Sequence, residues 1–160
     1  ELVDLGIRLG PAAQALEDGG VDRDADRQRR GDGGLAPAHD LADAAIKPTF
    51  AAEVEGSLVG FVTLTPHFPE AWEVHCIAVA ADSRNGGIGT ALLKRAERFA
   101  ADQGARFLQV KTVAQTSPSP EYAETRKFYV AKGFTSLEVF PNLWHPRNPA
   151  LQLIKVLDGE

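Results

Sequence analysis

The segment from Arg84 to Thr90 has residue types and spacing that suit the binding of a phosphate or a pyrophosphate. Successive glycines let a backbone turn its N–H groups towards one point, and a helix that begins near Ile88 would direct the positive end of its dipole there. Arg84 adds a charged donor and Thr90 adds a hydroxyl. The segment therefore predicts an anion-binding turn made of Arg84, Asn85, Gly86, Gly87, Ile88, Gly89 and Thr90.

Two common nucleotide-binding motifs do not fit this turn. Thr90 follows Gly89 where a Walker loop requires a lysine, and Leu92 occupies the position of the third glycine in the dinucleotide motif. A glycine-rich turn that only joins a strand to a helix remains the alternative interpretation.

The elements around the turn alternate between strands and helices. A nearly continuous apolar segment, WEVHCIAV, predicts a central strand before the turn, and helical periodicity from Ile88 predicts a helix that ends at Gly104. Further strands are predicted for FAAEV and LVGFVTL around a Glu55-Gly56 turn, and for RFLQVKTV, FTSLEVF and ALQLIKVL. A second helix is predicted from Glu121 to Lys132, closed by Gly133, and loops are predicted for TPHFPEA and PNLWHPRNP. The pattern favours one α/β or α+β domain with a central sheet.

Residues 1–48 differ from the rest of the chain in composition. Val3, Leu5, Ile7 and Leu9 alternate as in a short strand, and apolar residues recur weakly at helical spacing over 35–46. Residues 17–34 are rich in glycine, aspartate and arginine and have one large apolar side chain, Val21. Such a segment buries too little apolar surface to offset the entropy of ordering it, so we expect 17–34 to be mobile.

Two motifs together carry a family resemblance. Arg84, Gly87 and Gly89 form R-x-x-G-x-G between a strand and a helix, and Tyr129, Gly133 and Phe134 form Y-x-x-x-G-F at the end of the second helix. In this order and context, residues 49–157 resemble the GNAT superfamily of N-acetyltransferases. The resemblance implies a single α/β (α+β) domain over 1–160, with a mixed central sheet of about six or seven strands, splayed at its central strands and flanked by helices. It also implies acetyl-CoA as the co-substrate.

The resemblance assigns roles to further residues. The strand end formed by Ile77, Ala78 and Val79 would pair with the pantetheine arm of acetyl-CoA, and Arg126 joins the cofactor-binding set. Tyr129 would donate a proton to the departing thiolate, although its ring also suits the core face of a helix. Glu73 is the first choice for the base and His75, on the same strand face, is the second. A solvated carboxylate and a hydrogen-bonded rim histidine remain the alternatives for these two residues.

The function implied is direct transfer of an acetyl group to a primary amine of a small molecule or a protein. The alternative is a non-catalytic acyl-CoA-binding or interaction module that has lost its acceptor site. With 17 lysines and arginines against 22 aspartates and glutamates, the charge of −5 disfavours a nucleic-acid partner. The lone Cys76 and the lack of a long apolar run predict a cytoplasmic protein without a membrane partner, and the scattered histidines predict no metal site. The apolar last strands are compatible with pairing between two copies in a homodimer.

Overall fold

The computed structural model describes residues 7–11 and 47–158. The chain forms, in order, β1 (Ile7–Pro11), β2 (Thr49–Val54), β3 (Ser57–Phe68), β4 (Ala71–Val79), a short 3-10 helix (Ala81–Ser83), α1 (Ile88–Asp102), β5 (Phe107–Val113), α2 (Pro120–Ala131), β6 (Thr135–His145) and β7 (Asn148–Val156). The predicted strand near the N-terminus is confirmed at Ile7–Pro11. Val3, Leu5 and the segments 17–34 and 35–46 lie outside the described residues, so the predictions for them stay predictions, as does the single domain over 1–160.

The described strands follow the order β1-β2-β3-β4-β5-β7-β6 in a mixed sheet. β4 and β5 are parallel, whereas β1–β2, β2–β3, β5–β7 and β6–β7 are antiparallel. The β4–β5 pairing joins Ala71–Val74 to Phe107–Val110, and both strands continue beyond it. This mixed α/β architecture, with a parallel pair of limited length at its centre, confirms the predicted fold class.

The described residues form two compact units, the first of which comprises the described residues up to Thr65 together with Cys76–Arg98. Its β2–β3 hairpin turns at Glu55 and Gly56, which have φ angles of 51° and 79°. Two successive left-handed residues are typical of a tight hairpin turn, as the sequence predicted. The buried core of this unit contains Phe50, Val62, Leu64, Ile88, Leu92 and Leu93.

The second unit comprises Pro66–His75 and the described residues from Phe99 onwards. Within it β5 pairs with both β4 and β7, and its side chains alternate between two environments. Leu108 and Val110 are buried on one face, whereas Gln109 and Lys111 are half-buried on the other. One face of this part of the sheet is therefore apolar and packed, and the other is polar.

Both predicted helix ends are confirmed. Gly104 and Gly133 each have a φ of 91°, a conformation that costs glycine least. After each glycine the next residue closes the helix, because Ala105 N–H donates to Ala100 O at 2.9 Å and Phe134 N–H donates to Tyr129 O at 3.1 Å. These hydrogen bonds bring N–H donors to carbonyl groups of the last turn, which lack their usual donors because the helix ends there.

Two predicted loops are wrong. Most of TPHFPEA belongs to strands, because β3 runs on through Phe68 and β4 begins at Ala71. Most of PNLWHPRNP belongs to β6 and β7, which leave only a short turn at Pro146-Arg147. Prolines signal a break only where their nitrogen must donate to a neighbouring strand. β6 is the last strand in the sheet order, and its register shifts between Phe140 and His145, so it accommodates Pro141.

The close approach of β3 to β4 at Gly60 makes a testable prediction about stability. A Cβ atom on Gly60 would lie 2.7 Å from the Ala78 carbonyl oxygen and 3.1 Å from Leu92 Cδ1. Because the carbonyl belongs to the backbone, Gly60→Ala should lower the free energy of unfolding by about 1–3 kcal/mol. Chemical denaturation measures this change.

Gly86→Ala is the matched control, because a Cβ there would meet only Ser83 O, at an ordinary 3.7 Å. We expect it to change the free energy of unfolding by no more than about 0.5 kcal/mol. Equal stability of the two variants would contradict the proposed steric constraint at Gly60.

Candidate functional site

The glycine-rich turn of the first unit connects the end of β4 to the start of α1. Asn85 and Gly87 have left-handed φ angles of 63° and 85°, which turn the backbone sharply before the helix. The first helical hydrogen bond runs from Ala91 N–H to Gly87 O at 3.0 Å. The N–H groups of Ile88, Gly89 and Thr90 precede it, so α1 itself supplies them with no acceptor. They are the donors that an anion would need.

The side chains of the turn differ in how well they are placed to contact an anion. Arg84 is exposed, and its Nε donates to Val79 O at 3.2 Å. A guanidinium carries five N–H donors, so this hydrogen bond fixes Arg84 at the end of β4 without using its full capacity. Ile88 is only 6% exposed and anchors the first turn of α1 in the core. Ile88 can therefore offer a ligand its backbone N–H rather than its side chain.

The predicted pantetheine-binding residues lie at the end of β4, in the same unit. Ile77, Ala78 and Val79 are half-buried. Ala80 N–H, immediately after them, donates to Val59 O of β3 at 2.8 Å. The strand end is thus held by β3 as well as by Arg84.

A cluster of three charged or titratable side chains lies in the second unit. Glu73, on β4, accepts a hydrogen bond from Lys111 Nζ at 2.8 Å through its Oε1 atom. Its Oε2 atom lies 2.5 Å from Nε2 of His67, at the end of β3. The side chains of Glu73, Lys111 and His67 are 13%, 22% and 40% exposed. Glu73 is therefore a recessed carboxylate with a partner on each oxygen.

His67 and Lys111 are not among the site residues predicted from the sequence. His67 lay in a predicted loop, and Lys111 is 38 residues from Glu73 along the chain. The strand register, Glu73 opposite Gln109 and Lys111 opposite Gln152, places these polar residues on one face. Gln152 Nε2 also donates to Gln109 Oε1. The sequence of β5 contains a usable signal, because its two long polar side chains, Gln109 and Lys111, alternate with the buried Leu108 and Val110.

His75, the second predicted base, is exposed on β4 two residues beyond Glu73. Alternation along a strand places it on the same face as Glu73. The structure therefore places both predicted bases on this polar face and gives Glu73 the more enclosed position.

Tyr129 is buried in α2, with 4% of its surface exposed. Its ring lies edge-on to Phe128 and Phe134, with centroid distances of 5.4 and 5.5 Å. Arg126, one turn earlier, donates from Nη1 to Val113 O at the end of β5, at 2.8 Å. The tyrosine is thus a core residue, and its helix is tied to β5 by the arginine.

The described residues contain no cluster of three or more histidine, cysteine, aspartate or glutamate side chains that could hold a metal ion. Among the helices described, none is long and apolar enough to cross a membrane.

Comparisons with known proteins identify relatives of this chain. The model of the Acetyltransferase (GNAT) family matches residues 20–134. An N-acetyltransferase of Methanocaldococcus jannaschii, itself uncharacterized, is 33% identical over an alignment of 96 residues, and the alignment covers 56% of this chain and 40% of that protein. The chain thus spans about two fifths of that relative's length.

Solved structures share the fold. Ard1 from Thermoplasma volcanium superposes with a TM-score of 0.74 at 19% identity, covering 96% of this chain and 99% of that one. A GNAT family acetyltransferase from Elizabethkingia anophelis, crystallised with acetyl-CoA, gives a TM-score of 0.65 at 19% identity over 95% and 99% of the two chains. With a family model that matches well over half of its residues and a sheet like that of these structures, the chain belongs to the GNAT acetyltransferase family.

Proposed function

We propose that this protein is an N-acyltransferase that transfers an acetyl group from acetyl-CoA directly to a primary amine of a small molecule or a protein. The observation that carries the proposal is the turn before α1, where left-handed Asn85 and Gly87 precede three N–H groups without helical acceptors. These donors fit the pyrophosphate of CoA. Membership of the GNAT family and the acetyl-CoA in a structure of the same fold support the choice of co-substrate.

The residues of the first unit bind and orient acetyl-CoA in this proposal. The N–H groups of Ile88, Gly89 and Thr90 hold the pyrophosphate, and Arg84 contributes charge. The end of β4, from Ile77 to Val79, pairs with the amide groups of the pantetheine arm as an added strand would. A co-substrate held at both places has little freedom left, and positioning of this kind lowers the barrier to transfer.

The residues of the second unit supply proton transfer. A primary amine with a pKa of about 10.4 is protonated at neutral pH and must lose a proton before it attacks the thioester carbonyl. The base belongs to the polar face of β4, with Glu73 as the first choice and His75 as the second. Tyr129 donates its phenolic proton to the thiolate as the carbon–sulfur bond breaks.

A cytoplasmic location and the identity of the amine are further parts of the proposal. Cys76 is the single cysteine of the sequence, which therefore holds no disulfide within the chain, and sparse cysteine is common in proteins of a reducing compartment. The net charge of −5 favours cationic acceptors through long-range attraction.

Thermal unfolding with and without acetyl-CoA tests the proposed co-substrate. A ligand at about 100 times its dissociation constant stabilises the folded protein by roughly 2.7 kcal/mol, so the melting temperature should rise with acetyl-CoA and with CoA. ATP and NAD, which carry phosphates but no pantetheine arm, should give a smaller shift. A folded protein whose melting temperature is unchanged by acetyl-CoA would contradict the proposal.

Release of the CoA thiol in the presence of a panel of primary amines separates the enzyme from the non-catalytic module. Amine-dependent release supports the transferase. Binding of acetyl-CoA without release over the whole panel would instead favour the acyl-CoA-binding module.

Replacement of Tyr129 by phenylalanine tests its proposed role as the acid. Tyr129→Phe keeps the ring among Phe128 and Phe134 and removes only the hydroxyl, so acetyl-CoA should still raise the melting temperature. The turnover number should fall about 10²-fold, which is typical of a lost general acid. Tyr122→Phe, the same change elsewhere in α2, is the control and should keep the wild-type rate. An unchanged rate in Tyr129→Phe removes the assigned role.

We also propose that the homodimer left open by the sequence forms through β6, the last strand in the sheet order. Leu137, Leu143 and Trp144 on this strand are 58%, 51% and 50% exposed. An edge strand with exposed apolar side chains suits pairing with a second copy. Light scattering after gel filtration should give twice the monomer mass, and Leu143→Lys should reduce it to the monomer. A monomer at every concentration contradicts the dimer.

A further inference from the structure

The hydrogen bonds of Glu73 determine the protonation of its neighbours. Oε1 accepts from Lys111 Nζ at 2.8 Å, and Oε2 faces His67 Nε2 at 2.5 Å. An ionised carboxylate only accepts hydrogen bonds, so Nε2 of His67 must carry the proton that lies between them. Neutral His67 is therefore the Nε2–H tautomer, and its free lone pair is on Nδ1.

The exposure of the cluster decreases from His67 inwards. His67 is 40% exposed, whereas Lys111 and Glu73 are 22% and 13% exposed. An amine that approaches from solvent therefore reaches the imidazole more easily than the carboxylate. Both oxygens of Glu73 already serve as acceptors for Lys111 and His67, whereas Nδ1 of His67 offers a lone pair on the more exposed ring.

We propose that His67 is the base of the acetyl transfer, that Glu73 positions its ring, and that Lys111 in turn fixes Glu73. This inference rests on the proposed function and changes one part of it, because it moves the proton-accepting role from Glu73 to His67. Glu73 and Lys111 are then positioning residues rather than catalytic ones.

The proposed roles give a balanced set of proton and bond changes. Nδ1 of His67 takes one proton from the ammonium form of the acceptor, and the resulting imidazolium later gives it to solvent. The neutral amine nitrogen forms a bond to the carbonyl carbon of acetyl-CoA, and the bond from that carbon to sulfur breaks. Tyr129 gives a proton to the sulfur and recovers one, through solvent, from the nitrogen. The products are the acetylated amine, CoA and one released proton.

Lys111 contributes to this transfer by fixing Glu73, whose Oε1 accepts a hydrogen bond from Lys111 Nζ at 2.8 Å. His75, on the same face of β4, is a further titratable neighbour on that strand.

His67→Gln tests the proposed base. The value of kcat/KM near pH 7 should fall about 10²-fold, and the fall in rate towards acid pH that reports the base should disappear. The increase in melting temperature with acetyl-CoA should persist, because His67 does not contribute to the proposed cofactor site. His145→Gln is the matched control: this histidine is exposed on β6, where it accepts a hydrogen bond from Arg147 N–H, and its loss should leave both the rate and the pH profile unchanged.

Variants of the two positioning residues should act on the rate through His67. Glu73→Gln and Lys111→Met should each lower kcat and leave the increase in melting temperature with acetyl-CoA unchanged. Neither substitution should lower the rate further in a protein that already carries His67→Gln, because a positioning residue acts only through the base it positions. A purely structural role would lower the rate of the His67→Gln protein as well.

Long-range proton–nitrogen NMR of wild-type His67 supplies a test that does not depend on turnover. We expect neutral His67 to give the signals of the Nε2–H tautomer. A neutral ring with its proton on Nδ1 overturns the inference, as does a His67→Gln variant with the wild-type rate and acid limb. If the wild-type protein binds acetyl-CoA but acetylates no amine, the proposed function fails together with the inference, and that result is distinct from transfer that persists without His67.

Discussion

The parallel pairing of β4 with β5 is the constraint on which the candidate site depends. Parallel neighbours cannot be joined by a tight turn, so the chain must leave the carboxyl end of β4 and return through a crossover, which here contains α1. The crossover helix has to begin beside that strand end, and Asn85 and Gly87 take left-handed φ angles to start it. The N–H groups of the first helical turn, to which α1 itself supplies no acceptor, are thus a consequence of the topology. An anion site is available wherever the sequence keeps large side chains away from these groups.

Local backbone requirements made much of the fold readable from the sequence. Gly56, Gly104 and Gly133 have left-handed φ angles at the ends of elements, and each of these positions is set by its immediate neighbours. The errors arose where a residue's effect depends on a distant partner. Pro66 and Pro141 end a strand only if the adjacent strand needs their nitrogen as a donor, and strand neighbours are not visible in one sequence. For the same reason the sequence identified Glu73 but not Lys111, because only the β4–β5 register brings these side chains together.

The contacts around Glu73 stabilise the recessed carboxylate, and this structural role is compatible with the proposed catalysis. A recessed carboxylate loses hydration, and it remains charged at low cost only when hydrogen bonds replace the lost water. Lys111 and His67 provide one partner for each oxygen. In the proposed mechanism the contact with Glu73 also orients the imidazole of His67 and sets its tautomer, while Lys111 holds the carboxylate in place. Stability and the proposed proton transfer therefore require the same geometry.

Contacts made by the ring of Tyr129, by its backbone and by the rest of α2 hold this residue in position. Arg126 Nη1 ties α2 to Val113 O at the end of β5, and the Tyr129 carbonyl accepts the Phe134 N–H that closes the helix. The edge-on contacts with Phe128 and Phe134 hold the ring itself. A proton donor has to be held within about 0.5 Å of its productive position to be effective. A buried ring meets this demand better on a helix that is tied down on both sides of it than on a loop. Burial in an aromatic cluster, which in isolation indicates a purely structural tyrosine, is therefore also what the proposed acid requires.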